Sequence, residues 1–343
     1  MKAAVLYGKE DVRIEDLAPR PLQPGEVRLR IGAALTCGTD LKVFKRGYHA
    51  KMIVPPAVFG HELAGTVCES ADESWSLGER VVVANSAPCG SCFFCQHAQE
   101  NLCDDLQFLN GAYAESIVVP ARLVGKNLLR LKVETAFRDA ALTEPLACVV
   151  QGVEDSQLHV DQRVLVIGAG PIGLLFVALA THLGCVVTVA GRGTTRLAAA
   201  KKLGAREVVD VSGNSGLEEI ISAHTNHTSP FDVVIEAVGK PDVWEAAVRL
   251  VRKGGLVNFF GGCPTGTSVS LDTTRIHYSN LTLRASFHHT PRTIRRALAF
   301  IEAGVIRAAD FVDGECALND LPELFKSMSA GNRAVKTLIQ VNE

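Results

Sequence analysis

Residues Val164-Leu165-Val166-Ile167 form an unbroken apolar run, followed at once by Gly168-Ala169-Gly170-Pro171-Ile172-Gly173. A run without polar alternation suits a strand buried on both faces, as in a parallel sheet covered by helices. The six residues after it match G-x-G-x-x-G and lead into a helical stretch that reaches Leu183 and stops at Gly184. Gly168 permits the tight turn, Gly170 lets the backbone approach a pyrophosphate, and Gly173 lets the helix pack close to the strand. Pro171 and Ile172 open the helix, whose N-terminus offers unpaired N–H groups and positive partial charge to phosphates. The motif alone is weak, and a purely structural turn competes with it. Its place between a buried strand and a helix makes a dinucleotide site the better reading.

The chain beyond repeats the alternation. Strands are expected at Val186–Ala190, Val208–Val209, Phe231–Ile235 and Leu256–Phe260, with helices at Thr195–Leu203 and Val243–Val251. Strand–helix alternation of this kind implies an α/β fold with a doubly wound parallel sheet. Upstream the pattern is different. Val27–Ile31 alternates apolar and polar after the turn residues Pro21, Pro24 and Gly25, and Arg80–Val83 and Glu115–Val119 read as further short strands. This part resembles an irregular β-barrel. With 343 residues the chain is too long for one ordinary core. The expected division is 1–153 with 286–343 for the catalytic domain, and 154–285 for the nucleotide domain. From about 286 onward, pattern assigns no elements.

The end of the second strand of the nucleotide domain bears on the choice of cofactor. NAD sites usually place Asp or Glu there, about 20 residues past the glycines, on the ribose hydroxyls. Here the chain reads Ala190-Gly191-Arg192-Gly193-Thr194-Thr195-Arg196, without a carboxylate. Gly191 leaves room for a 2′-phosphate, and Arg192, with Arg196 beyond it, supplies guanidinium groups to pair with one. NADP(H) is therefore favoured over NAD(H). The competing reading leaves Arg192 as a solvated surface residue.

A net charge of −2 gives no global attraction to nucleic acid or to a membrane surface. No apolar stretch reaches the ~18 residues of a membrane span, and the N-terminus lacks a signal-peptide core, so a cytoplasmic location is expected. Such a chain favours metal binding over disulfides for clustered cysteines. Of ten cysteines, Cys89, Cys92, Cys95 and Cys103 follow the spacing C-x2-C-x2-C-x7-C. Four thiolates make a closed tetrahedral zinc site of structural type. An iron–sulfur cluster also takes four thiolates and is the competing reading. His97, inside the lobe, is surplus.

A catalytic zinc needs about three protein ligands and an open position. Cys37 in Cys37-Gly38-Thr39-Asp40, His61 and Glu62 in Gly60-His61-Glu62, and Glu144 in Glu144-Pro145 supply a thiolate, an imidazole and carboxylates. Taken singly, each also reads as an ordinary core residue. Together with the four-cysteine lobe, the glycine turn, Phe231–Gly239 and Gly254–Gly261, these stretches resemble the zinc-containing medium-chain dehydrogenase/reductase family over essentially the whole chain. The likeness is strongest to its polyol branch, which includes sorbitol-dehydrogenase-like and threonine-dehydrogenase-like members.

The resemblance implies a GroES-like barrel joined to a Rossmann domain. It implies that Cys37 and His61 bind a catalytic zinc, with Glu62 as a ligand or close neighbour and Glu144 as a ligand or a partner of the zinc water. Thr39 would begin the proton relay from the substrate hydroxyl. It further implies hydride transfer between a secondary alcohol and NAD(P), and a homodimer or homotetramer. A sugar alcohol, cyclitol or sugar acid is the leading substrate class. A threonine-type or simple secondary alcohol is the alternative within the family, and a non-catalytic zinc- and nucleotide-binding sensor is the alternative outside it. The chain departs from its relatives in carrying Lys42 where many have a relay histidine, and Ser70–Trp75 in place of a Gly-rich loop. Phe44 is expected to wall the substrate pocket, and His288 and His289 to bind substrate hydroxyls.

Overall fold

The computed structural model describes residues 1–49, 51–213, 216–225, 231–331 and 334–342. The chain separates into two compact units, Met1–Ala147 with His289–Glu343, and Cys148–His288. The first crossing falls inside the helix Thr143–Asp155, a little before the expected boundary.

The first unit is built on mixed sheets. Its longest pairing joins strand Val27–Leu35 antiparallel to Glu62–Ser70, with Leu35 opposite Glu62. The C-terminal strand Lys336–Gln340 adds to the same sheet, Leu338 standing opposite Leu35. These two pairings gather the end of one strand, the start of a second and the start of a third. The core beneath includes Leu29, Ile31, Phe59, Tyr113 and Phe325. Phe44 belongs to that core. It is 1% exposed, with its ring 5.4 Å from that of Phe325. Burial of this kind corrects the expectation of a pocket wall: an aromatic stacked inside a core presents no face to a substrate.

Among its described residues the second unit carries six strands: β1 (Arg163–Ile167), β2 (Val186–Gly191), β3 (Glu207–Asp210), β4 (Phe231–Glu236), β5 (Val251–Phe259) and β6 (Thr282–Ala285). They pair in the order β3-β2-β1-β4-β5-β6, and every pairing is parallel. This is the doubly wound order, whose strand sequence reverses between β1 and β4. Helices Pro171–His182, Thr194–Lys202 and Pro241–Leu250 follow β1, β2 and β4. The helix expected to run to Val251 stops at Leu250, and β5 starts five residues before the expected Leu256. Its pairing with β4 is irregular before Leu256, around Gly254-Gly255, which hid the early part of the strand. Among the described residues no helix is long and apolar enough to cross a membrane.

Candidate active site and metal centres

Cys37 follows directly on the paired strand end at Leu35-Thr36, and His61 directly precedes the strand that begins at Glu62. The Leu35–Glu62 register therefore brings the two motifs together although 23 residues separate them in sequence. Cys37 is also the N-cap of helix Gly38–Arg46; its Sγ accepts the N–H of Thr39 at 3.4 Å. One ligand atom each from Cys37, His61 and Glu62 lie within 4.8 Å of one another.

Partners outside that trio orient it. Asp40 Oδ1 is 2.8 Å from His61 Nδ1, so the carboxylate turns the other ring nitrogen, Nε2, toward the group. Tyr113 donates its hydroxyl to Asp40 Oδ2 at 2.6 Å, and both residues are buried. Burial opposes charge on His61, but the Asp40 carboxylate, and Cys37 after it, outweigh that and hold its pKa well above the usual range. A cation entering this site displaces a proton. Glu62 is fully buried, and its Oε2 accepts from Lys336 Nζ. Lys336 Nζ also donates to the Thr36 carbonyl at 2.9 Å. Burial works against charge on Lys336, and the Glu62 carboxylate more than restores it. Glu62 Oε1 is buried without a hydrogen-bond partner among the described residues. An orphaned carboxylate oxygen, a thiol and an oriented imidazole in one small space fit a divalent metal of zinc type.

Glu144 lies outside this tight trio. Its carboxyl is buried, and burial pushes its pKa up to about 7, with His61 pulling the other way. Its Oε1 is 3.9 Å from His289 Nε2, which is 2.9 Å from Asn85 Oδ1. His289 is 2% exposed and His288, part-exposed, adopts a positive φ of 63°. His289, expected to contact substrate, engages Asn85 through Nε2 and stands with Glu144 and His288 in a second group of possible ligand atoms. Thr39 is half-buried and Lys42 is exposed. Sequence reasoning missed Asp40, Tyr113, Asn85 and Lys336 as partners. Only Asp40 carried a signal, by its place inside the Cys37–Asp40 motif.

The cysteine lobe meets a sharp geometric test. Four ligands at the usual Zn–S length around a tetrahedron stand about 3.8 Å apart. Cys89–Cys95, Cys92–Cys95 and Cys92–Cys103 sulfurs lie 3.9, 3.5 and 3.9 Å apart. That spacing fits one tetrahedral ion and is too tight for thiolates spread around an iron–sulfur cage. The backbone N–H groups of Ser91 and Cys92 point at Cys89 Sγ and lower its pKa to about 6. Replacing Cys95 with Ala is expected to remove one zinc per chain and to lower the thermal midpoint, read by metal analysis and calorimetry. Unchanged metal content in that variant would exclude the lobe as a zinc site.

In the second unit the glycine turn has the tightness its sequence implies. Gly168 sits at φ +114°, and a Cβ at Gly173 would fall 1.8 Å from the Gly168 carbonyl oxygen. Gly170 is the N-cap of the helix that starts at Pro171, with Ile172 in its first turn. Gly191 ends β2 opposite Asp210. A Cβ there would lie 2.5 Å from Ala169 Cβ, so the close approach of strand end to glycine turn excludes a side chain. Arg192 is exposed and donates Nε to the Val211 carbonyl at 3.0 Å. Arg196 lies in the first turn of helix Thr194–Lys202.

Comparisons agree with both units. A model described as the alcohol dehydrogenase GroES-like domain matches residues 23–128, and one described as zinc-binding dehydrogenase matches residues 171–303. The chain is 34% identical to D-altritol 5-dehydrogenase of Agrobacterium fabrum, covering 95% of each protein. It is 27% identical to sorbitol dehydrogenase of Bacillus subtilis, covering 100% of this chain and 98% of that one. A Sinorhizobium meliloti protein whose structure was solved with NADP bound is 28% identical, with a TM-score of 0.87 over 98% of each chain. The likeness spans both units at once, and this chain belongs to the zinc-containing medium-chain dehydrogenase/reductase family.

Proposed function

We propose that the chain oxidises the secondary hydroxyl of a sugar alcohol, cyclitol or sugar acid, or reduces the matching ketone, with NADP(H) preferred to NAD(H). The grouping of Cys37, His61 and the orphaned Glu62 oxygen carries the catalytic half of this reading. The names of the relatives support the substrate class: they include a sorbitol dehydrogenase, an altritol 5-dehydrogenase and an L-idonate 5-dehydrogenase.

Cys37, His61 and Glu62 would hold the catalytic zinc, and Glu144, a buried carboxyl that feels the charges of His61 and Glu62, is the alternative carboxylate. Zinc bound there supplies a Lewis acid that favours the alkoxide form of the substrate hydroxyl. The protein's own residues do the rest. Asp40 and Tyr113 fix the imidazole of His61, so no reorientation is needed during turnover. Lys336 holds one oxygen of Glu62 and leaves the other for the site. Thr39 places a hydroxyl two residues from Cys37, as the first acceptor of the substrate proton.

Cofactor preference rests on β2. The steric block at Gly191 means that a ribose-binding carboxylate cannot be installed there while Ala169 stays in place. Asp210, opposite it, is engaged with its own turn through Ser212 N and Oγ at 2.9 and 2.6 Å. The guanidinium of Arg192, steadied by the Val211 carbonyl, puts a positive group at that strand end. The test is kcat/KM across a panel of polyols, cyclitols, threonine and simple secondary alcohols, with each cofactor, for wild type and Arg192→Ala. Loss of one charge-assisted contact is expected to cut the NADP-to-NAD ratio by about 10- to 100-fold. An unchanged ratio would remove Arg192 from phosphate recognition, and threonine as the best substrate would overturn the polyol reading.

A further inference from the structure

Strand order reverses between β1 and β4, and an open α/β sheet binds its ligand in the crevice beyond the carboxyl ends of the strands at that point. The last residue of β4 is Glu236, in register with Ile167, the last residue of β1. A carboxylate in that position is unexpected, because it is fully buried next to a turn shaped for phosphates. Its local bonds explain it. Glu236 Oε1 accepts the N–H groups of Val238 at 2.8 Å and Gly239 at 2.9 Å. Its backbone carbonyl accepts the N–H groups of Phe260 at 3.0 Å and Gly261 at 2.8 Å, beyond the end of β5. Ala237 N donates to Ile167 O at 2.9 Å, beside Gly168. Glu236 thus ties the turns that leave β4 and β5, and its neighbour Ala237 adds the bond to the end of β1.

The packing around it is tight. A Cβ at Gly261 would lie 2.7 Å from Glu236 Oε2 and 2.4 Å from Gly239 N. A Cβ at Gly168 would lie 3.0 Å from Val238 Cγ2 and 3.2 Å from Ala237 O. The Ala237–Gly239 turn thus stands directly against the glycine turn. With the N–H groups of Val238 and Gly239 drawn inward to the carboxylate, this side of the crevice presents the Val238 side chain, which is 38% exposed.

We infer that Glu236 is a positioning residue for the nicotinamide dinucleotide. It holds the Ala237–Gly239 turn as the wall facing Gly168, and so sets the width of the crevice without touching the nucleotide itself. The bonds to Val238 and Gly239 make a specific demand: an acceptor oxygen at this reach. A glutamine carbonyl oxygen meets it, whereas an aspartate one methylene shorter does not.

The experiment measures NADPH affinity by fluorescence titration of the zinc-loaded chain for wild type and for the Gln, Asp and Ala variants at 236, alongside zinc content. Glu236→Asp and Glu236→Ala are expected to weaken NADPH binding by about tenfold or more, with kcat at saturating nucleotide kept within about threefold and zinc content unchanged. Glu236→Gln is expected to stay within about threefold of wild type. Wild-type affinity in Glu236→Asp, or a Glu236→Gln as weak as Glu236→Ala, would overturn the inference. A wild type that binds neither NADPH nor NADH would overturn the dinucleotide reading on which it rests.

Discussion

Replacing Cys37 with Ser is expected to abolish turnover, by at least about a thousandfold in kcat, while leaving the thermal midpoint nearly unchanged. The two effects separate because Cys37 has two jobs. As the N-cap of helix Gly38–Arg46, its side chain accepts the Thr39 N–H and its backbone N–H donates to Asp40 Oδ2 at 3.3 Å. Serine is among the best residues for that position, so the cap survives. As a metal ligand Cys37 supplies a thiolate, and a serine hydroxyl, protonated at neutral pH, is no substitute. Metal analysis is expected to show the loss of one zinc, with the lobe of Cys89, Cys92, Cys95 and Cys103 still loaded. Retained activity, or retained metal, would take Cys37 out of the site.

Lys336→Met is expected to destabilise the chain by about 3–5 kcal/mol, because it breaks a buried ion pair from one side only. Lys336 is 2% exposed and its partner Glu62 is fully buried. Removing the ammonium strands a carboxylate with one oxygen already unpartnered and withdraws the bond to Thr36 O. In Lys336→Met combined with Glu62→Gln, the buried charge is gone, so much of the loss is expected to return. A double-mutant cycle on denaturant midpoints gives the coupling. A single-variant loss under about 1 kcal/mol would mean that the pair carries little of the sheet junction.

What the sequence displayed was local, and what it concealed was long-range. Gly168–Gly173 is legible because the turn, the close approach and the helix start all lie within six residues, and the structure places them together. Cys89–Cys103 is legible for the same reason. Lys336 was invisible: in Ala334-Val335-Lys336-Thr337-Leu338 it resembles the solvent side of a strand. Only pairing with Leu35, some 300 residues away, turns it inward. Phe44 was misread because its partner Phe325 lies on the far C-terminal helix Leu321–Ser329. His289 was read on residue type alone, and Asn85, which bonds its Nε2, carries no motif. Gly191 was read as space for a phosphate. The contact with Ala169 adds that a glycine is required there by the turn itself.

Hydride transfer is most directly tested by isotope. The zinc-loaded chain would be incubated with NADP and with secondary polyols deuterated at the carbinol carbon, and the recovered cofactor examined by mass spectrometry and NMR. Deuterium at nicotinamide C4 from at least one polyol is the expected result. Loaded protein that binds NADPH, holds both zinc ions and transfers no deuterium from any secondary alcohol would contradict it.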